Sequence, residues 1–405
     1  MKRKTLLLII LLITGFLAKS QNEPLAIFLT WTEDPTSTIS IDWHNHEKQS
    51  EILYYKMEGE DQWKEEQSKI HPFPFSDRLV HRVALQKLRP GTSYQIRFGD
   101  YEKVYSFKTM PENTALEPIR IAIGGDTMHD RKYLEKTNSQ VLNYDPHFVI
   151  MGGDLAYENG AAKAVERVHD WFEGCKNTLI TKDNRIIPIV VGIGNHEVAG
   201  GYYSADKFSG SNEDREEYAS YFYRLFAFPG HPGYNILDFG NYLSLFILDT
   251  EHANPIPGKQ TEWLESELEK RKDVQHLIPV YHIPAYPSVR NFNGSRSKLV
   301  RQHWLPLFEK HKIKLAFENH DHAYKRTFPI RRNEIDGDGI VFVGDGAWGV
   351  NVREVHKPEE TWYLKKAYSQ RHFILLTIQG NHQHITTVNE EGEVIDTYPE
   401  LNVPY

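Results

Sequence analysis

Between residues 117 and 380, short apolar strands alternate with amphipathic helices, and this alternation limits the fold more than any other feature of the chain. The strands include IRIAIGG, HFVIMGG and IIPIVVGIG, then YLSLFILDT, HLIPVYH, KLAFENH and IVFVGDG. Helices are predicted between them at 159–175, 213–227, 259–272 and 297–311. Continuous apolar strands separated by such helices predict an α/β domain whose sheet is buried and covered by helices.

Residues 24–112 have a different pattern, which predicts an all-β sandwich. Six short runs rich in β-branched and aromatic residues, from AIFLTWT to VYSFKT, recur at the spacing typical of sandwiches. The stretch LRPGTSYQIRF resembles the tyrosine corner of fibronectin type III domains, with Tyr94 as the corner residue and Trp43 at the sandwich centre. Both residues are expected to pack rather than to catalyse. KTMPENTALEP is the expected boundary before a second domain at 117–400.

The first residues have the pattern of a secretory signal peptide. Three basic residues at positions 2–4 precede an apolar stretch, 5–18, and Ala18 and Ser20 form a small-x-small cleavage signal. The alternative is an uncleaved anchor, which is disfavoured because the stretch is shorter than the ~20 apolar residues of a membrane span. We therefore expect residues 1–20 to be removed and the protein to be exported, to a periplasm or the cell exterior, without a stable membrane span.

Composition excludes one class of partner. The 47 basic and 55 acidic side chains give a formal net charge of −8, and no basic tract offsets it. Binding to a nucleic-acid scaffold is therefore not expected. The single cysteine, Cys175, cannot form an internal disulfide and is expected to be buried on a helix. Nothing in the sequence indicates an oligomeric state.

Polar residues follow five of the apolar strands at the point where each strand ends. They are Asp126; Asp154 and Tyr157; Asn195, His196 and Glu197; His282; and His320 and His322. In open α/β folds, functional groups collect where strands end and loops begin. Glycines precede three of these ends, and we expect them to turn the backbone so that the next side chain enters a shared cleft.

Each of these residues also has a structural explanation. An aspartate after Gly-Gly can begin a turn or cap the next helix, and a lone histidine such as His282 is more often a hydrogen-bonded core residue than a ligand. Turn chemistry does not explain two aspartates, an asparagine, a tyrosine and three histidines at successive strand ends. Because metal ions bind such oxygen and imidazole donors, the set predicts a metal site.

The order Asp, Asp-x-x-Tyr, Gly-Asn-His-Glu, His and His-x-His resembles the calcineurin-like metallophosphoesterases, and the tyrosine resembles their purple acid phosphatase branch. The resemblance covers about residues 117–380, and larger members of that branch also have a preceding fibronectin-like domain. It implies two β-sheets packed together and flanked by helices. It also implies a metal-dependent phosphoric ester hydrolase that acts on small phosphate esters.

Carried over residue by residue, the resemblance assigns two metal sites. The first would be held by Asp126, Asp154, Tyr157 and His322, and the second by Asp154, Asn195, His282 and His320. A shared carboxylate suits such a pair, since two neighbouring cations repel each other and need a bridging anion. The neutral amide of Asn195 leaves the site net positive, which suits a phosphate dianion.

The resemblance also implies a mechanism. A phenolate from Tyr157 favours Fe(III) in the first site, whereas the imidazoles of His282 and His320 suit Zn, Mn or Fe(II) in the second. The alternative is that the Tyr157 ring merely packs beside the site. A metal-bound hydroxide would attack the phosphate, and His196 would contact the phosphate and stabilise charge or protonate the leaving group. The alternative role of His196 is to orient Asn195.

Two turns depart from the family pattern. Met128 stands where the family has a second glycine and is expected to crowd the first turn. Asn319 also replaces a glycine and is expected to adopt the left-handed conformation that asparagine tolerates.

A third departure concerns acid catalysis. Asn291 and Phe292 occupy the stretch where plant members of the family carry a histidine pair, so a low pH optimum does not carry over from the resemblance. Arg290, Tyr286 or His252 could line the pocket instead, although a structural role is expected for each.

Three functions remain open on the sequence alone. The first is an exported dinuclear phosphomonoesterase, and the second is a phosphodiesterase or nucleotidase that uses the same ions. Relative turnover of an aryl phosphomonoester and an aryl diester separates these two. The third is a binding protein with an active fibronectin-like domain and a vestigial cleft, which a metal-free preparation without chelator-sensitive hydrolysis would favour.

Overall fold

The structure is a computed structural model that describes residues 23–46, 51–115 and 117–399. The predicted signal peptide, residues 1–20, lies outside these ranges. Within them, no helix is long and apolar enough to cross a bilayer.

The N-terminal region folds as two packed antiparallel sheets. Its strands are β1 (Ala26–Thr30), β2 (Ile39–Asn45), β3 (Ile52–Met57), β4 (Lys64–Gln67), β5 (Lys69–Pro72), β6 (Leu79–Leu85), β7 (Ser93–Phe98) and β8 (Tyr105–Lys108). They pair in the orders β1-β2-β6-β5 and β4-β3-β7-β8. Trp43 is fully buried and packs 5.1 Å from the Phe98 ring of the facing sheet. Tyr94 Oη accepts a hydrogen bond from the Arg89 N–H at 2.9 Å, which is the expected corner contact.

The second region alternates strands with helices. Its strands are β9 (Ile119–Gly124), β10 (Phe148–Met151), β11 (Ile189–Val191), β12 (Asn235–Phe239), β13 (Leu243–Leu248), β14 (His276–Tyr281), β15 (Leu315–Glu318), β16 (Tyr324–Thr327), β17 (Ile330–Arg331), β18 (Glu334–Ile335), β19 (Val341–Gly344), β20 (Leu364–Tyr368), β21 (His372–Gln379), β22 (His382–Asn389) and β23 (Val394–Tyr398). Its helices are α1 (Arg131–Leu142), α2 (Val165–Thr178), α3 (Asn212–Tyr218), α4 (Ser220–Leu225), α5 (Lys259–Lys270), α6 (Ser295–His303) and α7 (Leu305–Lys310).

All of these strands except β17 and β18, which pair with each other, form two large mixed sheets packed face to face, as predicted. One has the order β11-β10-β9-β21-β22-β23 and the other β12-β13-β14-β15-β19-β16-β20. One apolar cluster joins their inner faces and includes Ile123 and Ile150 of the first sheet and Val280 and Phe317 of the second. Helices α1 and α2 cover the outer face of the first sheet, and α5, α6 and α7 cover that of the second. Strands such as β13 and β14 are buried at every residue, which explains their continuous apolar sequences.

The helices differ from the prediction in three ways. The predicted helix at 213–227 is divided into α3 and α4, because Ala219 between them has a non-helical backbone (φ −138°, ψ 52°). The predicted helix at 297–311 is divided into α6 and α7, because Pro306 in the first turn of α7 has no N–H to continue a helix. Helix α1 was not predicted. Two of its four buried residues, Thr137 and Asn138, are polar, so its apolar periodicity is weak. Cys175 on α2 is buried as expected.

The N-terminal sandwich shares its apolar contacts with the second region. The Phe28 ring on β1 lies 6.3 Å from Trp171 and 5.9 Å from Phe172 on α2, and 5.3 Å from Phe226. Trp31, just beyond β1, makes an edge contact with Phe148 at 5.4 Å. The two regions therefore bury apolar surface against each other, and removing one side of this contact should destabilise the whole chain.

We expect Phe28→Ala to lower the free energy of unfolding by about 3–5 kcal/mol, the usual cost of truncating a buried phenylalanine. Phe28 is 2% exposed, whereas Phe75 is 53% exposed, so Phe75→Ala is the matched control. Urea denaturation compares the two variants. Equal, small losses in both would show that the contact at Phe28 does not stabilise the protein.

Candidate metal centre

The two sheets deliver different side chains to one edge. The parallel neighbours β9, β10 and β11 are followed by the oxygen donors Asp126, Asp154, Tyr157 and Asn195, while β14 and β15 of the other sheet are followed by His282, His320 and His322. Parallel neighbours end at the same edge of a sheet. Because the two sheets pack face to face, all seven predicted residues meet in one cleft.

The first group of donor atoms is compact. Tyr157 Oη lies 3.1 Å from Asp126 Oδ1 and 3.0 Å from His322 Nε2. The His322 Nε2 atom lies 3.1 Å from Asp126 Oδ1. The Tyr157 hydroxyl therefore points into the cluster instead of packing beside it.

The second group adjoins the first through Asp154. His282 Nε2 lies 3.2 Å from Asp154 Oδ2 and 3.2 Å from His320 Nδ1. Asp154 belongs to two triads, one with His282 and His320 and one with Asp126 and His322, in which the donor atoms lie within 4.8 Å of one another. Asp154 is thus the residue placed to contact two ions.

The donor set fits a pair of metal ions. Ligands held 2.0–2.1 Å from one ion lie about 3.0 Å apart along the edge of an octahedron, which is close to the spacing in both groups. Asn195 Oδ1 is buried, and no described residue donates a hydrogen bond to it. A buried acceptor without a donor is costly, and a cation at the second group would satisfy it.

Five of the seven residues have left-handed backbone conformations: Asp126 (φ 56°), Asp154 (54°), Tyr157 (58°), His320 (80°) and His322 (60°). Such conformations cost about 1–3 kcal/mol each for residues other than glycine and cluster at functional sites. The glycines were expected to make these turns. Gly153 does so with φ 106°, but Gly194 has φ −120°. Most of the strained left-handed conformations are therefore adopted by the candidate ligands themselves.

The expectation for Asn319 was wrong. Asn319 is not left-handed. Its Nδ2 donates to Tyr281 O at 3.0 Å and to Gly152 O at 3.3 Å, which links the two sheets. A β-carbon at Gly152 would lie 2.2 Å from this Nδ2, so only glycine allows the approach. The side chain of Met128 is buried in the apolar cluster that contains the inner residues of α1 and α2.

Burial and neighbouring charges set the protonation of the metal-free cluster. Burial disfavours a charged ring, but the carboxylates of Asp154 and Asp126 outweigh it and raise the pKa of His282 to about 9. Burial also opposes ionisation of Asp154, yet His282 lowers the pKa of this carboxyl below its usual range. Burial lowers the pKa of His320, so its ring is neutral. Burial, Asp126 and Asp154 raise the pKa of Tyr157, so its hydroxyl stays protonated until a metal displaces the proton.

His196 lies at the mouth of the cluster. Its side chain is 31% exposed, and its ring lies 4.2 Å from the Tyr157 ring. Its backbone N–H donates to Asp154 Oδ1 at 2.7 Å, and its Nδ1 lies 2.6 Å from Asn159 Oδ1. The contact between Asn159 and His196 was not predicted. No sequence pattern indicates it, because the two residues meet only in the folded chain. Burial lowers the pKa of His196, so the neutral ring predominates near pH 7 in the metal-free protein.

Glu197 supports the cluster without entering it. Its carboxylate accepts backbone N–H groups from Asp154 and Gly194 through Oε2 and from Leu155 through Oε1, at 2.6–2.7 Å. These bonds fix the backbone that presents Asp154. Burial and the charge of Asp154 raise the pKa of Glu197 to about 8, against the effect of the three N–H donors.

The three other side chains considered for the pocket are held in structural contacts. Arg290 Nη1 bonds to Asp321 Oδ1 at 2.7 Å and to His320 O at 2.5 Å. Tyr286 is fully buried and donates to Asn333. His252 is also fully buried, between Thr250 Oγ1 and Gly201 O. These contacts agree with the structural roles expected for them.

Comparisons with known proteins agree with this fold. The family model "Calcineurin-like phosphoesterase" matches residues 119–324, and "Purple acid Phosphatase, N-terminal domain" matches residues 24–109. Purple acid phosphatase 21 of Arabidopsis thaliana is 26% identical over 68% of this chain, and the chain spans 60% of its length. Acid phosphatase type 7 of Mus musculus is 25% identical over 78% of the chain and 76% of its own length. A purple acid phosphatase from yellow lupin seeds has the same fold, with a TM-score of 0.75, 19% identity, and coverage of 93% of this chain and 74% of that one.

The face-to-face sheets and the clustered donors define a metallophosphoesterase-type fold. The chain belongs to the calcineurin-like phosphoesterase family, because the family model covers more than half of it. The second matched segment places it in the purple acid phosphatase-like branch of that family.

Metal uptake by the stripped protein should strengthen as the pH rises. In metal-free protein, the pair of protonated His282 and ionised Asp154 contributes stability below about pH 6.5 and loses it as the pH passes through about 9. A metal must displace the proton from His282. The apparent affinity at the second site should therefore rise about tenfold per pH unit from pH 7 to 9. Calorimetric titration in two buffers of different ionisation enthalpy also counts the released proton. An affinity that is flat over this range would contradict the assignment of His282.

Proposed function

We propose that the chain is an exported dinuclear-metal phosphatase that hydrolyses phosphomonoesters, as in purple acid phosphatases. The observation that carries this proposal is the position of the Asp154 carboxylate, which belongs to both groups of donor atoms. The motifs of the chain and its membership of the calcineurin-like phosphoesterase family support the same reaction class. The neutral Asn195 limits the negative charge around the ions, which suits a phosphate dianion.

Each ion would have its own set of residues. Asp126, Asp154, Tyr157 and His322 would hold the first, and Asp154, Asn195, His282 and His320 the second. When bound, two such ions lower the pKa of a water molecule toward ~7 and neutralise phosphate charge. The buried protein groups exclude other water and hold the donor atoms in place, since six of the seven residues are buried.

His196 is proposed to act on the phosphate and the leaving group. Its Nδ1–H is held by Asn159 Oδ1, so Nε2 carries the lone pair in the neutral ring. Once protonated, Nε2–H can donate to a phosphate oxygen or pass its proton to the departing alcohol. Because its side chain is 31% exposed, the ring can exchange protons with solvent.

The domain organisation that we propose has three parts. Residues 1–20 form a signal peptide, 24–112 a fibronectin type III-like domain and 117–400 the metallophosphoesterase domain. The tyrosine corner supports the second assignment. Mass spectrometry of the exported chain tests whether cleavage occurs after residue 20.

Loss of candidate ligands should abolish turnover by removing metal. We expect Asp154→Ala and His320→Ala to lose bound metal and at least ~10³-fold in kcat/KM, because the water that attacks the phosphate would no longer be acidified by a pair of ions. His196→Gln is the contrasting variant: it should retain metal and lose about 10²–10⁴-fold in kcat, the usual value of a general acid.

The assay uses an aryl phosphomonoester, the corresponding aryl diester and elemental analysis of each variant. Faster turnover of the diester would favour a phosphodiesterase. Full activity in Asp154→Ala would contradict the site, and activity without metal would contradict the reaction class.

The first ion is proposed to be Fe(III), since a phenolate is a hard, strongly donating ligand, and the second Zn, Mn or Fe(II). The protein should then show a visible phenolate-to-iron charge-transfer band that disappears in Tyr157→Phe. A colourless, fully active and iron-free enzyme would contradict Fe(III) at Tyr157 without contradicting the pair of ions.

A further inference from the structure

Tyr202 lies at the rim of the candidate metal centre. The residue before it, Gly201, packs against Asn195: a β-carbon there would lie 3.6 Å from Asn195 O. The carbonyl of Gly201 accepts a hydrogen bond from His252 Nδ1 at 3.2 Å, and the His252 ring lies 5.4 Å from the His282 ring. Two independent contacts therefore hold this segment against candidate ligands of the second ion.

Arg296 on α6 covers the ring of Tyr202. Its guanidinium carbon lies 3.7 Å from the ring centroid, and the Tyr202 ring stacks on His252 at 5.8 Å with an interplanar angle of 27°. A guanidinium held against an aromatic face gains cation–π attraction while its N–H groups point outward in the plane. The Arg296–Tyr202 pair is thus a preformed cationic surface that is separated from His282 of the second group by the ring of His252.

The charge of Arg296 is only partly compensated. Its Nε lies 3.5 Å from Glu251 Oε2, close enough for attraction, but no described residue accepts a hydrogen bond from this Nε. Its side chain is 27% exposed. This Nε is buried and faces Glu251, which restrains the guanidinium. No described residue accepts a hydrogen bond from either Nη group, so these groups are the donors left for a ligand.

Three other arginines near the cleft donate hydrogen bonds to the protein itself. Arg167 donates to Ala156 O and Met128 O, and Arg290 is paired with Asp321. Arg301 donates to Ala285 O and to Phe292 O. Their donors hold loops together, which distinguishes them from Arg296.

We propose that Tyr202 and Arg296 form a leaving-group subsite that favours phosphate esters whose alcohol carries a second anionic group, a carboxylate or another phosphate. This inference rests on the proposed phosphatase function. The first phosphate would occupy the metal centre, and the second anion would bind the planar edge of the guanidinium, which matches carboxylate and phosphate geometry. Tyr202 is a positioning residue, because it acts by holding Arg296.

A matched pair of substrates tests the subsite. 4-Carboxyphenyl phosphate carries the second anion, and 4-(methoxycarbonyl)phenyl phosphate has a similar shape without it. Arg296→Gln should lower kcat/KM for the carboxylate substrate about tenfold to a hundredfold, the range expected for a charge-assisted hydrogen bond, and should change the ester substrate less than about twofold. The loss should appear in KM, and the binding of 4-carboxybenzylphosphonate, measured by calorimetry, should weaken by the same factor.

Two controls separate this effect from general loss of charge or structure. Lys298→Gln removes a cation from an exposed position on the same helix and should leave the ratio of the two substrates unchanged. Tyr202→Phe keeps the aromatic face and should retain the preference, whereas Tyr202→Ala should lose most of it. Thermal melting confirms that each variant is folded.

The possible outcomes distinguish failure of the proposed subsite from failure of the proposed phosphatase function. Wild-type protein that hydrolyses neither substrate would overturn the proposed phosphatase, and the subsite with it. Wild-type protein that hydrolyses both, with an Arg296→Gln variant that lowers both equally or neither, would overturn the subsite alone. If Lys298→Gln also lost the preference for the carboxylate substrate, that preference would come from general positive charge on α6 and not from a contact with Arg296, which would overturn the subsite.

Discussion

The Asp154 carboxylate is the interaction on which the rest of the centre depends. It is 1% exposed, and a charge buried to that degree requires partners. One oxygen accepts the His196 N–H and the other faces His282, while Glu197 holds the Asp154 backbone. In metal-free protein the proton on His282 balances the charge, and in loaded protein two cations would replace it. The protonation of the cleft, its metal content and its geometry therefore all depend on the carboxylate of Asp154.

The division of donors between the sheets explains why the centre needs the whole fold. The candidate oxygen ligands follow strands of one sheet and the candidate imidazole ligands follow strands of the other, so neither sheet alone supplies the whole donor set. The sheets approach closely at the cleft because Asn319 bridges them over Gly152. The N-terminal sandwich packs on the same core through Phe28. Metal binding and sheet packing should accordingly stabilise each other.

The sequence predicted the positions of the site residues better than their conformations. Strand ends are visible as polar residues after apolar runs, and parallel neighbours end at one edge, so Asp126 and Asp154 could be placed together. His282 follows a strand of the other sheet, so only the family resemblance joined it to them. The left-handed backbone of the candidate ligands was missed, because local propensity assigns such conformations to glycine and asparagine, whereas packing imposes them here. The contact of Asn159 with His196 and the split of the helix at Pro306 likewise depend on tertiary context or on a single residue.

Anomalous diffraction from crystals of protein purified without chelators tests the central claim most directly. We expect two anomalous peaks that share Asp154. One should adjoin Asp126, Tyr157 and His322 and be strongest above the iron edge, and the other should adjoin Asn195, His282 and His320. A single peak, or none, in active protein would contradict the account, because Asp154 would then have no pair of ions to join.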